Sequence, residues 1–116
     1  MTTGVEALTG TSQSTVGAVN VAQGDGIPWF GTQSNQEAWA PDLVVASQVY
    51  HWEVVLDDMF ELIEDGTLGG EVFGLTLENG GLLIELNGCF DLDDDVTRGV
   101  SDLIDDIISG EIVPPA

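Results

Sequence analysis

Basic side chains are almost absent from this sequence of 116 residues, which has no lysine, one arginine (Arg98) and one histidine (His51). Twenty-one aspartate and glutamate residues give it a formal net charge of −20 at pH 7. A surface of this sign repels phosphate backbones and anionic lipids, so nucleic acid and anionic membranes are excluded as partners. Because salt screens such self-repulsion, the acidity indicates a high-salt habitat, an acidic habitat or an engineered composition.

Cysteine and long apolar runs are also scarce. Cys89 is the single cysteine, which excludes an intramolecular disulfide and a thiol-rich metal site. No segment has the pattern of a signal peptide or lipobox, and no apolar run is long enough to span a bilayer. The start at Met1–Gly4 resembles an initiator placed before an internal boundary, so we expect any targeting information to lie upstream.

Groups for acid–base catalysis are correspondingly few. The only histidine, His51, lies beside Trp52 at a predicted helix start, and there is no lysine for Schiff-base chemistry. The run Asp93–Asp95 lacks the spaced ligands and the glycine of a calcium loop. We therefore predict no catalytic residue, no metal site, no cofactor and no enzymatic activity.

What the sequence does contain is an alternation of strand and helix patterns. Hydrophobic residues make up 43% of the chain, and we expect residues 1–116 to fold as a single α/β domain. Strands are predicted at 5–9, 27–30 and 43–49, and helices at 15–22, 52–63 and 91–109. Two further strands, 72–78 and 82–87, are predicted to form a hairpin at Asn79–Gly80. The expected architecture is three-layered, with a mainly parallel sheet and a C-terminal antiparallel hairpin.

Polar residues follow the first three predicted strands, at the sheet edge where open α/β folds bind ligands. Thr11 and Ser12 offer hydroxyl groups after the first strand, although a plain turn would have the same composition. A phosphate cradle is disfavoured there, because the loop has no lysine and the chain is strongly acidic. Gln33 and Asn35 offer paired amide donors and acceptors that suit a neutral polar ligand. Tyr50 and Trp39 are candidates for stacking against a ring.

Several segments match a known family in order and spacing. Ile27–Gln36 matches a strand and a G-x-D-x-D-Q loop, and Val44–Tyr50 matches a third strand and an S-x-x-K turn. Later segments, 65–70, 77–81 and 108–114, match as well. In these features the chain resembles the C-terminal part of the basic membrane protein family, the substrate-binding lipoproteins of ABC transporters that include the purine nucleoside receptor A group.

The resemblance implies one lobe of a type I periplasmic-binding-protein fold, in which two lobes close over a ligand and deliver it to an ABC permease. It implies that the cleft is lined by a set of loop residues: Gly10, Thr11, Ser12, Gln33, Asn35, Ser47, Tyr50, Gly80 and Gly81. Gln33 and Asn35 stand where the family loop usually has acidic residues, and Tyr50 stands where its turn has lysine. By the same resemblance the full-length protein is extracytoplasmic and membrane-anchored.

Two hypotheses of different classes follow. The first is the binding lobe of a transport protein for a neutral polar small molecule such as a nucleoside or sugar. This lobe would pair with a missing N-terminal lobe, or with a second copy through its exposed lobe face. The second is a stand-alone α/β interaction or regulatory module with no small-molecule ligand.

Overall fold

Strands and helices alternate along most of the chain in the computed structural model, which describes residues 4–11 and 14–115. The elements in order are β1 (Leu8–Thr9), α1 (Thr15–Asp25), β2 (Trp29–Gly31), a 3-10 turn (Glu37–Trp39), β3 (Val44–Tyr50), α2 (Glu53–Glu64), β4 (Leu82–Leu86) and α3 (Asp94–Ser109). The predicted α/β class is confirmed.

A single four-stranded sheet has the order β1-β2-β3-β4. The pairs β1/β2 and β2/β3 are parallel, with Leu8 opposite Trp29 and Gly31 opposite Ser47. The last pair is antiparallel, because the amide of Asn87 donates to the carbonyl of Val45 and that of His51 to the carbonyl of Gly81. The sheet is therefore mixed and mostly parallel, as the sequence predicts.

The predicted hairpin needs a correction, because residues 72–78 form no strand and β4 pairs with β3 instead. The turn at Asn79–Gly80 does form, and Gly80 has a φ of 73°. The Asn79 side chain accepts hydrogen bonds from the amides of Thr76 and Gly81 and donates to the carbonyl of Gly74. These side-chain bonds take the place of a strand ladder, which is how asparagine competes with regular structure.

The three predicted helices are present, and glycines mark their ends. Gly26 after α1 and Gly110 after α3 are left-handed C-caps, with φ values of 68° and 83°. After α2, Gly66 has a φ of 86° and its amide donates to the carbonyl of Ile63. Glycine is favoured at such positions because it has no Cβ to clash in the left-handed region.

Two compact units make up the chain. The first contains the described residues up to Val49 together with Ile84–Asp91. Its core consists of Val19, Ala22, Trp29, Ala40, Leu43 and Val44. The face of α1 that packs on this core carries Thr15, Val19 and Ala22, at the spacing of four and three residues expected for one side of a helix.

The second unit contains Tyr50–Leu83 and the described residues from Leu92 onward. Within it, α2 buries Val55, whereas no residue of α3 is buried. Many of its large apolar side chains are exposed, including Phe60, Leu68 and Val72. Among the residues described, no helix is both long and apolar enough to cross a membrane.

Candidate ligand-binding site

The loops that follow β1 and β2 lie against each other in the first unit. The Thr32 hydroxyl donates a hydrogen bond to the carbonyl of Gly10, and the Thr9 hydroxyl donates to the carbonyl of Phe30 at 2.8 Å. A Cβ at Gly10 would lie 3.0 Å from the Thr15 methyl group and 3.2 Å from the Trp29 ring, so a larger residue would be tightly packed there. The parallel register thus brings two of the predicted polar loops together.

Gln36 fixes the second of these loops from inside. Its Oε1 accepts a hydrogen bond from Trp29 Nε1 at 2.8 Å, and its Nε2 donates to the Thr32 carbonyl at 2.9 Å. Its backbone amide donates to the Ser47 hydroxyl at 3.0 Å. Because Gln36 and Trp29 are both buried, these bonds are shielded from water and hold the loop in one conformation.

Three neighbouring strands place Gly31, Ser47 and Glu85 in a row. Gly31 lies opposite Ser47 in the parallel pair β2/β3. In the antiparallel pair β3/β4, the hydrogen bonds of His51 with Gly81 and of Asn87 with Val45 set the register, which places Ser47 opposite Glu85. A Cβ at Gly31 would lie 2.7 Å from the Ser47 hydroxyl, so these side chains share one face of the sheet. The loop 32–36 folds back over this face.

Gln33 carries an exposed side-chain amide on this loop. Its φ is 73°, and it is the only non-glycine residue with a positive φ in the described chain. Its side chain is exposed and makes no hydrogen bond to the rest of the described structure. A residue held in a sparsely populated conformation with a free polar group is a candidate for ligand contact.

Asn35 is already engaged within the protein. Its Nδ2 donates to Glu85 Oε2 at 2.7 Å, and its Oδ1 accepts from the amide of Glu37 at 2.9 Å. Sequence reasoning missed Glu85 as a member of this cluster. The available signal was one charged residue in the otherwise apolar strand Leu82–Leu86.

The remaining predicted site residues of this unit are Ser47 on β3 and those of the loop after β1. Ser47 is only 1% exposed, and its hydroxyl accepts the amide of Gln36, so it supports the loop from beneath. Thr11 is exposed beside the tethered carbonyl of Gly10. Ser12 lies outside the described residues.

The other predicted site residues, Tyr50, Gly80 and Gly81, belong to the second unit. Tyr50 is half-buried and makes an edge-to-face contact with Trp52, with ring centroids 5.7 Å apart. The carbonyl of Gly81 accepts the amide of His51 at 2.8 Å, which fixes the 79–81 turn beside the end of β3. A Cβ at Gly81 would lie 2.6 Å from a methyl group of Leu75 and 2.9 Å from Asn79 Oδ1, so a larger residue there would displace these side chains.

His51 contacts a carboxylate at the start of α2. Its Nδ1 lies 2.7 Å from Glu53 Oε1, while its Nε2 is buried and has no partner in the described structure. The pKa of Glu53 is lowered, first by a hydrogen bond from its own backbone amide and then by the hydrogen bond to His51. The ionised carboxylate of Glu53 therefore orients the histidine ring at the helix start.

An apolar groove of about 270 Å³ lies in the second unit, between the last turns of α2 and the segment after it. It is lined by Met59, Leu62, Ile63, Thr67, Leu68, Gly69, Glu71 and Phe73. Within residues 4–11 and 14–115, no group of three or more histidine, cysteine, aspartate or glutamate side chains could hold a metal ion.

No protein-family model and no curated protein sequence matches this chain. Similarity is found among solved structures. The chain is similar to an ABC transporter system solute-binding protein from Conexibacter woesei, with a TM-score of 0.66 and 22% identity over 97% of this chain and 38% of that one. It is also similar to an ABC transporter system solute-binding protein from Aeropyrum pernix, with a TM-score of 0.72 and 19% identity over 97% of this chain and 42% of that one.

The chain thus spans about 40% of the length of these solute-binding proteins. At this identity the likeness shows the fold alone, which is similar to that of a portion of these two proteins.

Proposed function

We propose that this chain is the ligand-binding lobe of an ABC transporter solute-binding protein for a neutral polar small molecule. The observation that carries the proposal is the amide of Gln33, which is exposed and unengaged on a loop otherwise fixed by buried hydrogen bonds. A rigid loop with a free polar group favours binding, because little conformational entropy is lost when a ligand is held.

The transport role draws support from the two structural neighbours, both described as ABC transporter solute-binding proteins. In this proposal the full protein works outside the cytoplasm, anchored to the membrane, and delivers its ligand to an ABC permease. The N-terminal lobe would supply the second wall of the cleft. No enzymatic step belongs to this function.

The ligand class is a nucleoside or sugar, as the resemblance to the basic membrane protein family implies. Amide groups such as that of Gln33 both donate and accept hydrogen bonds, which suits hydroxyl groups and the edge of a base. Gly10 and Thr11 contribute from the adjacent loop and Asn35 from the same loop as Gln33, while the buried Ser47 supports that loop from beneath. Tyr50, Gly80 and Gly81 remain predicted contacts on the basis of the family resemblance alone.

Thermal unfolding of the whole chain tests this function with a panel of adenosine, inosine, uridine, D-ribose and D-glucose at 1 M NaCl. A ligand that binds the native state raises the melting temperature by mass action. At a ligand concentration of 100 times the Kd, the free energy of unfolding increases by about 2.7 kcal/mol. We expect at least one panel member to raise Tm. The Gln33→Gly variant should lose that shift without losing stability, because glycine tolerates the positive φ of this position.

Gln23→Ala is the matched control, since Gln23 is an exposed glutamine on α1 in the same unit. It should keep the ligand-induced shift. A cooperative transition that no panel member moves would contradict ligand binding by this chain, and a shift that survives in Gln33→Gly would remove Gln33 from the site.

A stand-alone interaction module is the second candidate, and the exposed apolar surface of the second unit favours it. Ile63 and Leu68 border the groove at the end of α2 with exposures of 52% and 84%. Large exposed apolar patches are typical of protein–protein contact surfaces. A cooperative transition without any ligand-induced shift would favour this candidate.

A further inference from the structure

We propose that Glu85 is a specificity-determining residue of the binding site and selects ligands that carry hydroxyl or amino donors over anionic ones. The inference rests on the proposed function and deepens it. It concerns a residue on β4, an antiparallel strand that brings a carboxylate to a loop whose own side chains are neutral.

The placement of Glu85 follows from the strand register. Glu85 pairs with Ser47, which in turn lies opposite Gly31, the last residue of β2. The loop after Gly31 folds back over this row, and Asn35 Nδ2 donates to Glu85 Oε2 at 2.7 Å. The carboxylate is thus fixed against the same loop that presents Gln33.

One oxygen of this carboxylate remains available. Oε1 of Glu85 has no hydrogen-bond partner in the part of the chain that the structure describes. Both polar atoms of the Asn35 side chain are hydrogen-bonded, since Nδ2 donates to Glu85 and Oδ1 accepts from the backbone amide of Glu37. An ionised carboxylate oxygen only accepts hydrogen bonds, so a ligand group that binds to Glu85 Oε1 has to be a hydrogen-bond donor.

No basic side chain balances the charge of Glu85 within the first unit. Residues 1–49 and 84–91 contain no lysine, arginine or histidine. A hydroxyl group can donate to this carboxylate, and an ammonium group would be attracted to it, whereas a phosphate would be repelled at close range. The site therefore favours a nucleoside or a free sugar over its phosphate ester.

Calorimetric titration of the full chain with two matched pairs tests this inference. The pairs are adenosine with adenosine 5′-monophosphate, and D-ribose with D-ribose 5-phosphate. The variants are Glu85→Gln, which keeps the shape and the acceptor for Asn35, and Glu6→Gln, which removes the same charge from an exposed position of the same unit. Thermal unfolding of each variant verifies that it folds.

We expect wild type to bind the neutral member of a pair at least about tenfold more tightly than its phosphate, since a hydrogen bond to a charged group contributes about that much. Glu85→Gln should weaken binding of the neutral member by about tenfold and reduce the discrimination against its phosphate, whereas Glu6→Gln should change neither by more than about twofold.

Equal effects of Glu85→Gln and Glu6→Gln would overturn the role of Glu85 while leaving the proposed function in place. Tighter binding of the phosphate than of the neutral member by wild type would also overturn it. Failure of wild type to bind either pair, together with the rest of the panel, would overturn the proposed function and this inference with it.

Discussion

Gly31 shows how a single missing Cβ shapes the candidate site. The loop that carries Gln33 turns back across the sheet directly over this residue, and the Ser47 hydroxyl and the Gln36 side chain fill the space beside it. The Ser47 hydroxyl cannot move away without breaking its hydrogen bond from the Gln36 backbone amide. The buried Gln36 side chain cannot move without breaking its hydrogen bonds with Trp29 and Thr32. A side chain at position 31 would therefore act on the whole loop.

Gly31→Ala should lower the free energy of unfolding by about 1–3 kcal/mol, the usual cost of overpacking a buried site. The new Cβ would lie 2.7 Å from Ser47 Oγ and 3.1 Å from the nearest Gln36 atoms. Urea-induced unfolding followed by circular dichroism measures this difference.

Gly17→Ala is the control for that substitution. Gly17 lies in α1 with nothing within 4 Å of an added Cβ, so alanine there should stabilise the protein by about 0.5–1 kcal/mol. A Gly31→Ala protein as stable as wild type would show that the loop does not pack on Gly31 in this way.

At the scale of elements, Asn87 joins the end of β4 to the segment that enters β3. Its Nδ2 donates to the carbonyls of Pro41 and Val44 at 2.7 and 2.6 Å, and its Oδ1 accepts the amide of Cys89 at 2.8 Å. The residue is 4% exposed, so these backbone groups depend on it for their hydrogen bonds. Asn87 thus helps hold β4 in the register that brings Glu85 to the loop.

Asn87→Ala should destabilise the protein by about 2–4 kcal/mol, because it leaves the buried carbonyl of Val44 and the part-buried amide of Cys89 without partners. Hydrogen exchange provides a local readout, since the amide of Cys89 loses its acceptor and should exchange faster. Asn20→Ala, at an exposed position of α1, should change stability by less than about 0.7 kcal/mol. Similar losses in both variants would argue against a special role of Asn87.

At the scale of the whole molecule, the net charge of −20 is the dominant electrostatic feature. Helix α3 illustrates it, because its sequence contains five aspartates and one cation, Arg98, which contacts Asp95 at 3.2 Å. This pair is exposed and contributes little, so the like charges are left to repel one another.

Raising NaCl from 0.1 M to 1 M should raise the melting temperature. The Debye length falls from about 10 Å to about 3 Å over this range. Each 1 kcal/mol of stability that screening recovers should raise Tm by about 4 °C for a domain of this size.

The double variant Asp102→Asn/Asp105→Asn separates screening from other effects of salt. It removes two exposed charges from α3 and should raise Tm at 0.1 M NaCl while reducing the further gain at 1 M. A melting temperature that is independent of salt in the wild-type protein would show that its charges are already too far apart to interact.

Elements with local signals could be predicted from the amino-acid sequence. The apolar spacing of α2 and α3 and the glycines at 26, 66 and 110 predicted helices that the structure confirms, because helix periodicity and C-capping depend on neighbours within a few residues. The polar loops after β1 and β2 were located for the same reason. The α/β class followed from the order of these elements.

The pairing partner of β4 and the polar groups that remain free depend on long-range contacts and could not be predicted in this way. The Asn79–Gly80 pattern specified a turn but not the partner of the strand after it, since pairing depends on the hydrogen bonds available across the whole sheet. Likewise Ser47 is buried beneath the 32–36 loop, and Glu85 accepts a hydrogen bond from Asn35, which lies fifty residues earlier in the sequence. Such contacts join residues distant in sequence, and no local pattern encodes them.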